Sequence, residues 1–360
     1  MSNPSPPIIV GISGGVDSAV AALLLRREGI PVAGVFMKNW DERDPDGHCA
    51  SDQDWADARA ACDCIGIPYY SANFARQYWD NVFALCLDEF RKGRTPNPDV
   101  LCNREIKFKV FLEYALKAGG GGLATGHFCR TNERGELLRG LDPLKDQSYF
   151  LYMLKREQLR FARFPVGGMT KSQVRSIARE AGLPVADKRD STGVCFIGER
   201  RFKEFLQNYL PARPGSIRDR STGETVGRHD GLMYYTLGQR RGLGVGGGKS
   251  DRAGRWFVVG KDLEDNTLWV SQGADAPELY SRAALCVDPA WIDGTPPANE
   301  FRCTAKFRYR QDDQPARVIV EPDGLTVEAD KEQRALTPGQ SVVFYDGETC
   351  LGGAIIDKAL

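Results

Sequence analysis

The stretch Ile8-Ile9-Val10-Gly11-Ile12-Ser13-Gly14-Gly15-Val16-Asp17-Ser18, running on into Ala19-Val20-Ala21-Ala22-Leu23-Leu24-Leu25, decides the fold of the first part of this chain. An apolar strand-forming run meets a glycine turn, and a helix-forming run follows it. That order presents consecutive backbone N–H groups at a helix N-terminus, where unpaired donors and the helix dipole both favour an anion. Gly14 and Gly15 let the backbone approach a phosphate with no Cβ in the way. Ser13 and Ser18 add hydroxyl donors. Asp17 is an acid beside the expected phosphate, which suits a Mg²⁺ ligand or an N-terminal helix cap.

Positions 17 and 18 are Asp and Ser, so no Walker lysine follows the loop, and a kinase or GTPase of that type is disfavoured. The SGG-x-DS pattern resembles instead the pyrophosphate loop (PP-loop) of the ATP pyrophosphatase superfamily. The resemblance implies splitting of ATP between its α- and β-phosphates, with adenylation of a substrate oxygen.

Outward from the loop, strand-like and helix-like segments alternate. Val32–Met37 precedes a helix over Gln53–Ile65, Tyr69–Asn73 precedes one over Arg76–Lys92, and a helix over Lys107–Ala118 leads into strand Leu123–Gly126. This rhythm predicts an α/β fold with a doubly wound parallel, Rossmann-like sheet, its ligands at the strands' carboxyl ends. Met37 ends the second strand where an adenine would sit, and Gly126 and His127 end a later strand on the same edge. Phe128–Gly140 reads as a hairpin around Asn132–Gly135. Thr170 and Gln173 form a capping box for a helix that ends at Gly182.

A helix over Glu199–Tyr209 is expected next. Beyond Pro211, short strands such as Trp256–Val259, Thr267–Val270, Arg317–Val320 and Ser341–Tyr345 are separated by Gly, Pro and Asp turns. They predict small β-rich units or barrels, with a boundary near Leu279–Leu285. The expected organisation is a PP-loop catalytic domain over 1–205 (part of 165–190 open to packing with its neighbour), a small central β-rich domain over 206–280 and a C-terminal β-barrel over 281–360.

The chain has 360 residues, 48 basic and 48 acidic. Bulk charge therefore does not announce a nucleic-acid partner, although local clusters can still bind one. No apolar run is long enough to span a bilayer, and the N-terminus lacks a secretion signal, so a cytoplasmic protein is expected, with no membrane partner. Ten cysteines are scattered without the spacing of a disulfide scaffold.

Two cysteines have informative surroundings. Cys102 follows Asn97-Pro98-Asp99 in a proline-stiffened segment near a helix N-terminus, with Arg104 and Lys107 close in sequence. Such a setting favours a thiolate. Cys195 sits in Gly193-Val194-Cys195-Phe196, again just before a helix. No local metal spacing joins them. A spatial pair, one thiol carrying sulfur and the other resolving it, is the sharper reading. An iron–sulfur cluster on these two thiols needs a third ligand such as Asp99.

Ser13–Ser18, Asn97–Asp99 with Cys102-Asn103, Gly126-His127, Lys145-Asp146-Gln147-Ser148-Tyr149 and Gly193–Phe196 occur in this order at these separations. Together they resemble the tRNA-specific 2-thiouridylase family, and the likeness runs from Ile8 to the C-terminal strands. The resemblance implies a sulfurtransferase that uses ATP and Mg²⁺ to adenylate the 2-oxygen of the wobble uridine, U34, in tRNAs for Lys, Glu and Gln.

By the same resemblance, Gly11, Ile12, Ser13, Gly14, Gly15, Val16, Asp17, Ser18, Met37 and Gly126 bind ATP. Cys195 carries a persulfide received from a relay protein or cysteine desulfurase, and Cys102 is the nucleophile that forms a transient disulfide with it. Asn97, Pro98, Asp99 and His127 lie by the target base. Lys145, Asp146, Gln147, Arg308, Tyr309 and Gln340 contact tRNA at the anticodon loop, for which a monomer suffices. No stable metal is implied beyond Mg²⁺ carried with ATP, with Asp17 as its candidate ligand. Lys306-Phe307-Arg308-Tyr309-Arg310 also alternates cations with aromatics, which suits phosphates and bases but equally a two-faced strand.

Several signals carry less. Gly242–Gly247 satisfies G-x-G-x-x-G but precedes a strand rather than a helix, against the context of a dinucleotide site. Arg240 and Arg241 beside it suit RNA phosphates. Cys62 and Cys64 are two apart in a helix and point to different faces. His48-Cys49 has no partner pair at zinc spacing. Competing functions are a PP-loop ligase or amidotransferase, and a non-catalytic nucleotide- or RNA-binding module. The two loop cysteines and the β-rich half tell against the first, and the joint presence of Asp17, Cys102 and Cys195 against the second.

Overall fold

In the computed structural model, residues 5–41, 50–190, 202–245 and 254–360 are described. The expected parallel sheet is present. Strands β1 (Ile8–Gly11), β2 (Val32–Lys38), β3 (Tyr69–Asn73) and β4 (Gly122–Ala124), with the short strand Ala162–Arg163, lie in the order β3-β2-β1-β4 followed by Ala162–Arg163. All neighbouring pairs are parallel. Ile8, Ile9 and Val10 are all buried, because helices cover both faces of such a sheet and leave no solvent side for a polar residue. Strand order reverses at β1, so the turns after β1 and β4 open a crevice between them at the sheet's carboxyl edge.

Helix α1 (Val16–Arg27) leaves the first turn with Gly15 at its N-cap and no side-chain cap. It packs Val16, Ala19 and Val20 against Val174 and Ala178 of the helix Lys171–Glu180. The Thr170–Gln173 capping box starts that helix as expected, and this part of the chain stays with the first sheet. Helix α2 (Ala50–Ile65) covers the sheet through Ala58 and Cys62, which is buried while Cys64 is exposed.

Three expectations need correction. First, the helix expected from Lys107 begins nine residues earlier. It runs through Pro98–Leu101, a π-helical stretch Cys102–Phe111 and Leu112–Lys117. Asn97 caps it, its Oδ1 accepting from the N–H groups of Asp99 and Val100 at 3.2 and 3.4 Å. Pro98 takes the first helical position, where its fixed φ fits and its missing N–H costs nothing. Cys102 thus lies on a helix rather than in a loop. Second, the segment expected as one helix over Arg76–Lys92 has a π-helical turn at Trp79–Phe83 between Ala75–Tyr78 and Ala84–Arg91. Third, Lys306–Arg310 is not a continuous strand: strand Glu300–Lys306 ends at Lys306, and the chain turns.

A four-stranded central sheet has the order Trp256–Asp262, Thr267–Gln272, Gly215–Asp219, Thr225–His229. Its first hairpin reaches the Gly93 turn of the first domain, where Lys261 Nζ donates to Gly93 O at 2.8 Å. Burial holds the Lys261 ammonium down at about 8. The C-terminal strands close a barrel: Tyr280–Trp291, Gly324–Arg334, Gln314–Glu321, Glu300–Lys306, Ser341–Asp346 and Thr349–Ala359, the last pairing back with the first. The expected hairpin, strands Cys129–Thr131 and Leu137–Arg139, comes from the first domain but extends the barrel's sheet, pairing Leu138 and Leu137 with Thr349 and Cys350. One apolar core accordingly joins Phe108, Phe111 and Tyr152 of the first domain to Val343 and Tyr345 of the barrel. Among the described residues, no helix is long and apolar enough to cross a membrane.

Candidate active site

The first turn is held in one shape by its own side chains. The Ser13 N–H donates to Ser18 Oγ at 3.1 Å, and the Ser18 hydroxyl donates to Gly15 O at 3.1 Å. Gly14 adopts φ +75°, and a Cβ there would fall 2.3 Å from Asp54 O of α2. Lys188 Nζ bonds Gly14 O at 3.1 Å while gripping Asp54 at 2.8 Å and Asp57 at 2.5 Å. Gly126, after β4, closes the other side: a Cβ on it would lie 2.5 Å from Ser18 N and 2.6 Å from Asp17 C. Met37, next to last in β2, lies on the same edge, half-buried. The residues singled out for ATP in the sequence therefore converge on the crevice.

The cradle suits a nucleoside triphosphate, because Gly126 packs without a Cβ directly against the start of α1 and the N-cap of α1 offers no side-chain acceptor of its own. Among the described residues, no three His, Cys, Asp or Glu side chains converge to hold a metal. A Mg²⁺ ion would need phosphate oxygens besides Asp17.

Asp17 has a partner that sequence reasoning missed. Lys171, the first residue of its helix, reaches both Asp17 oxygens at 2.6 and 2.8 Å and Asp190 at 2.8 Å. Burial pushes the Asp17 carboxyl above its ordinary value despite that contact. Asp190 also meets Lys145 at 2.7 Å and Arg175 at 2.8 Å. Burial works against its charge, but the lysines win and hold it down at about 2. The pairs span many residues and leave no local pattern. The one available signal was a lysine directly after the N-cap Thr170, where the helix dipole disfavours a cation.

On the far side of Gly126 lies His127. Its Nδ1 is 2.7 Å from Thr125 Oγ1, and its ring packs by Phe108 and Phe164 at 6.0 and 6.2 Å between centroids. Burial, with the Lys107 charge second, holds the imidazole well below its ordinary value and therefore neutral at pH 7. The same lysine tempers Asp99, whose carboxyl burial pushes up. Cys102 is buried at 2 % exposure on this helix. Arg104, expected as its electrostatic neighbour, spends its charge on Glu105 at 2.7 Å. Cys195 falls outside the described residues, as do His48, Cys49 and Gly246–Gly247.

The residues expected at tRNA divide in two. Lys145 is partly exposed and paired with Asp190. Asp146 is buried, accepting from the N–H groups of Gly140 and Ser148 at 3.0 and 3.1 Å, and Gln147 Oε1 accepts from Phe128 N at 3.0 Å. Arg308 donates to Leu237 O, Ala335 O and Thr337 Oγ1 at 3.1, 2.7 and 3.0 Å, tying the central domain to the barrel. Tyr309 packs on Phe150 at 4.4 Å. Gln340 Nε2 donates to Thr95 O at 2.8 Å, and Thr95 N donates to Pro338 O at 2.8 Å, so the barrel braces the segment entering the Cys102 helix.

Comparison with known proteins agrees with this architecture. Residues 7–199 match the family model described as the tRNA methyl transferase HUP domain, 203–272 its PRC-barrel domain, and 281–356 the aminomethyltransferase beta-barrel domain. Over 98% of its length the chain is 57% identical to 97% of a protein from Alkaliphilus oremlandii named tRNA-specific 2-thiouridylase MnmA. Proteins of the same name from Francisella philomiragia (56% identity, 97% of this chain and 98% of that one) and Exiguobacterium sibiricum (56%, 98% and 94%) are similar to it in the same way. The domain descriptions speak of methyl transfer and the near full-length relatives of thiolation. Identity at this level over the whole chain is the stronger guide.

Proposed function

The chain belongs to the family of tRNA-specific 2-thiouridylases, tRNA-uridine 2-sulfurtransferases, and from that premise we propose that it spends ATP to replace the C2 oxygen of U34 in tRNAs for Lys, Glu and Gln by sulfur. One observation carries the reading. The turn Thr125–His127 packs Gly126 against the phosphate loop and turns His127 toward the helix that carries Asp99 and Cys102. On this reading, ATP and base chemistry share one short turn.

The C2 oxygen attacks the α-phosphorus, pyrophosphate leaves, and the oxygen becomes part of an AMP leaving group. Backbone N–H groups of the Ser13–Ser18 loop stabilise the charge that develops on the phosphates. Bound with ATP at Asp17, Mg²⁺ would supply further neutralisation there. Asn97, Pro98 and Asp99 line the base, which must leave the anticodon stack for C2 to be reached. Neutral His127 donates or accepts a hydrogen bond there without adding charge.

Sulfur arrives as a persulfide on Cys195, delivered by a relay protein or desulfurase. Either Cys102 thiolate attacks Cys195 Sγ and frees sulfide, which attacks C2, or the terminal sulfur attacks C2 first and Cys102 then releases it. Both routes expel AMP, end in a Cys102–Cys195 disulfide and need an external thiol reductant. Lys145, Arg308, Tyr309 and Gln340 contribute to the tRNA surface, and the protein works as a monomer in the cytoplasm.

The test combines protein, ATP, Mg²⁺, a persulfide donor, a thiol reductant and unmodified tRNA, followed by nucleoside analysis. 2-Thiouridine at U34, with stoichiometric AMP, is expected. Its absence from folded protein with a competent donor refutes the proposal. Cys195→Ser should lose persulfide loading while still binding ATP.

A further inference from the structure

Lys171 has no role in the chemistry above, yet its position is costly. It is a side chain only 11% exposed, at the first position of a helix whose dipole opposes a cation. It lies against the one carboxylate of the phosphate loop, with Nζ 2.6 Å from Asp17 Oδ1. A lysine needed only to cap a surface carboxylate would be cheaper almost anywhere else.

Lys145, Lys171 and Arg175 converge on Asp190, and Lys171 alone of the three also serves Asp17. A third carboxylate, Asp142, accepts from the Lys171 backbone N–H at 2.9 Å and fixes the start of the helix. The Lys171 ammonium is thereby held beside a loop that presents backbone donors to an anion. Those donors have no lysine of their own in sequence, because Asp17 and Ser18 occupy the positions where a Walker loop has Lys and Ser/Thr.

We propose that Lys171 is a phosphate ligand of the ATP site, parked between Asp17 and Asp190 until the β- and γ-phosphates arrive. Its three ammonium protons already point at three carboxylate oxygens, two on Asp17 and one on Asp190. Were Asp17 to hold a Mg²⁺ brought with ATP, the contacts it gives up would pass to phosphate oxygens, and Asp190 would keep the ammonium in place. Lys171 then stabilises pyrophosphate as it departs, the role a preorganised cation plays in phosphoryl chemistry. The inference rests on the reading of this loop as an ATP site and adds the residue that reads the leaving group.

The test is calorimetric titration of the full chain, without tRNA, by ATP, inorganic pyrophosphate and AMP, each with Mg²⁺. Lys171→Gln is the main variant, because its amide still partners both carboxylates, and Lys171→Arg keeps the charge. The proposal expects Lys171→Gln to weaken pyrophosphate and ATP at least tenfold while AMP stays within twofold, and Lys171→Arg to recover most of the loss. Unchanged pyrophosphate affinity in Lys171→Gln overturns it. So does an equal loss for AMP, which marks a mere brace for Asp17. A wild-type chain that binds neither ATP nor pyrophosphate overturns the ATP-site reading itself, and the inference with it.

Discussion

Gly126→Ala is the most direct probe of the crevice. The added Cβ would stand 2.5 Å from Ser18 N, 2.6 Å from Asp17 C and 2.9 Å from Asp17 O, all backbone atoms. Ordinary contact begins near 3.4 Å, so the turn and the start of α1 must separate by roughly 0.9 Å. No side-chain rotation can relieve this. Overpacking of that kind costs about 1–3 kcal/mol of stability, and a misplacement near 1 Å in a reacting site costs on the order of 100-fold in rate. We therefore expect a Tm lower by several degrees, a weaker ATP Kd and thiolation slowed about 100-fold. Gly168→Ala is the matched control, since a Cβ there meets nothing within 4 Å. Thermal melts, ATP titration and 2-thiouridine formation are measured on both. Were Gly126→Ala to bind ATP within threefold of wild type and melt like Gly168→Ala, the contact between the two turns would not shape the site.

Asn97→Ala removes the cap of the Cys102 helix and should cost about 1 kcal/mol in chemical denaturation, with Asn97→Ser retaining most of it. Arg308→Ala loses three hydrogen bonds, one of which, to Leu237 O, joins the barrel to the central domain, while those to Ala335 O and Thr337 Oγ1 lie within the barrel domain. If the guanidinium also meets tRNA phosphate, tRNA affinity falls and its salt dependence flattens; an unchanged slope would assign Arg308 to domain docking alone. Lys261 makes alkaline pH informative. Its amine sits at about 8 in the fold against an ordinary 10.5, so the unfolded chain binds more protons between those values and stability should rise across that window. Below about 8 the cost of burying the charge is fully present. Lys261→Met should abolish the rise and stabilise the protein at pH 7 by up to about 3 kcal/mol, less what the lost bond to Gly93 O contributes. Urea melts at pH 7, 8, 9 and 10 decide it.

Local patterns were the legible part of the sequence. The phosphate loop, the strands that flank it and the Thr170–Gln173 box each follow from residues within a few positions of one another. The start of the Cys102 helix was local too but was misread: Asn97-Pro98 is a cap followed by a first-turn proline, and taking both prolines as loop stiffeners hid the helix. What could not be read is long-range. Lys171 meets Asp17 across 154 positions, Lys188 meets Asp54 across 134, and Gln340 meets Thr95 across 245. Arg308 and Asp146 enter the expected tRNA contacts by resemblance, and the sequence does not show how far either is buried. In the fold, much of their hydrogen-bonding capacity is spent inside the protein.

The hairpin that the first domain lends to the barrel bears on biosynthesis. Its partner residues, Thr349 and Cys350, open the final strand of the chain, the one that also closes the barrel. The apolar surface formed by Phe108, Phe111 and Tyr152 is completed by Val343 and Tyr345, which lie far later in the chain. A growing or prematurely terminated chain that has not reached the barrel can build its phosphate loop but cannot cover the flank of the domain that carries it. The phosphate loop's domain then waits on the barrel for its cover, and products truncated before the barrel are left as substrates for chaperones and proteases.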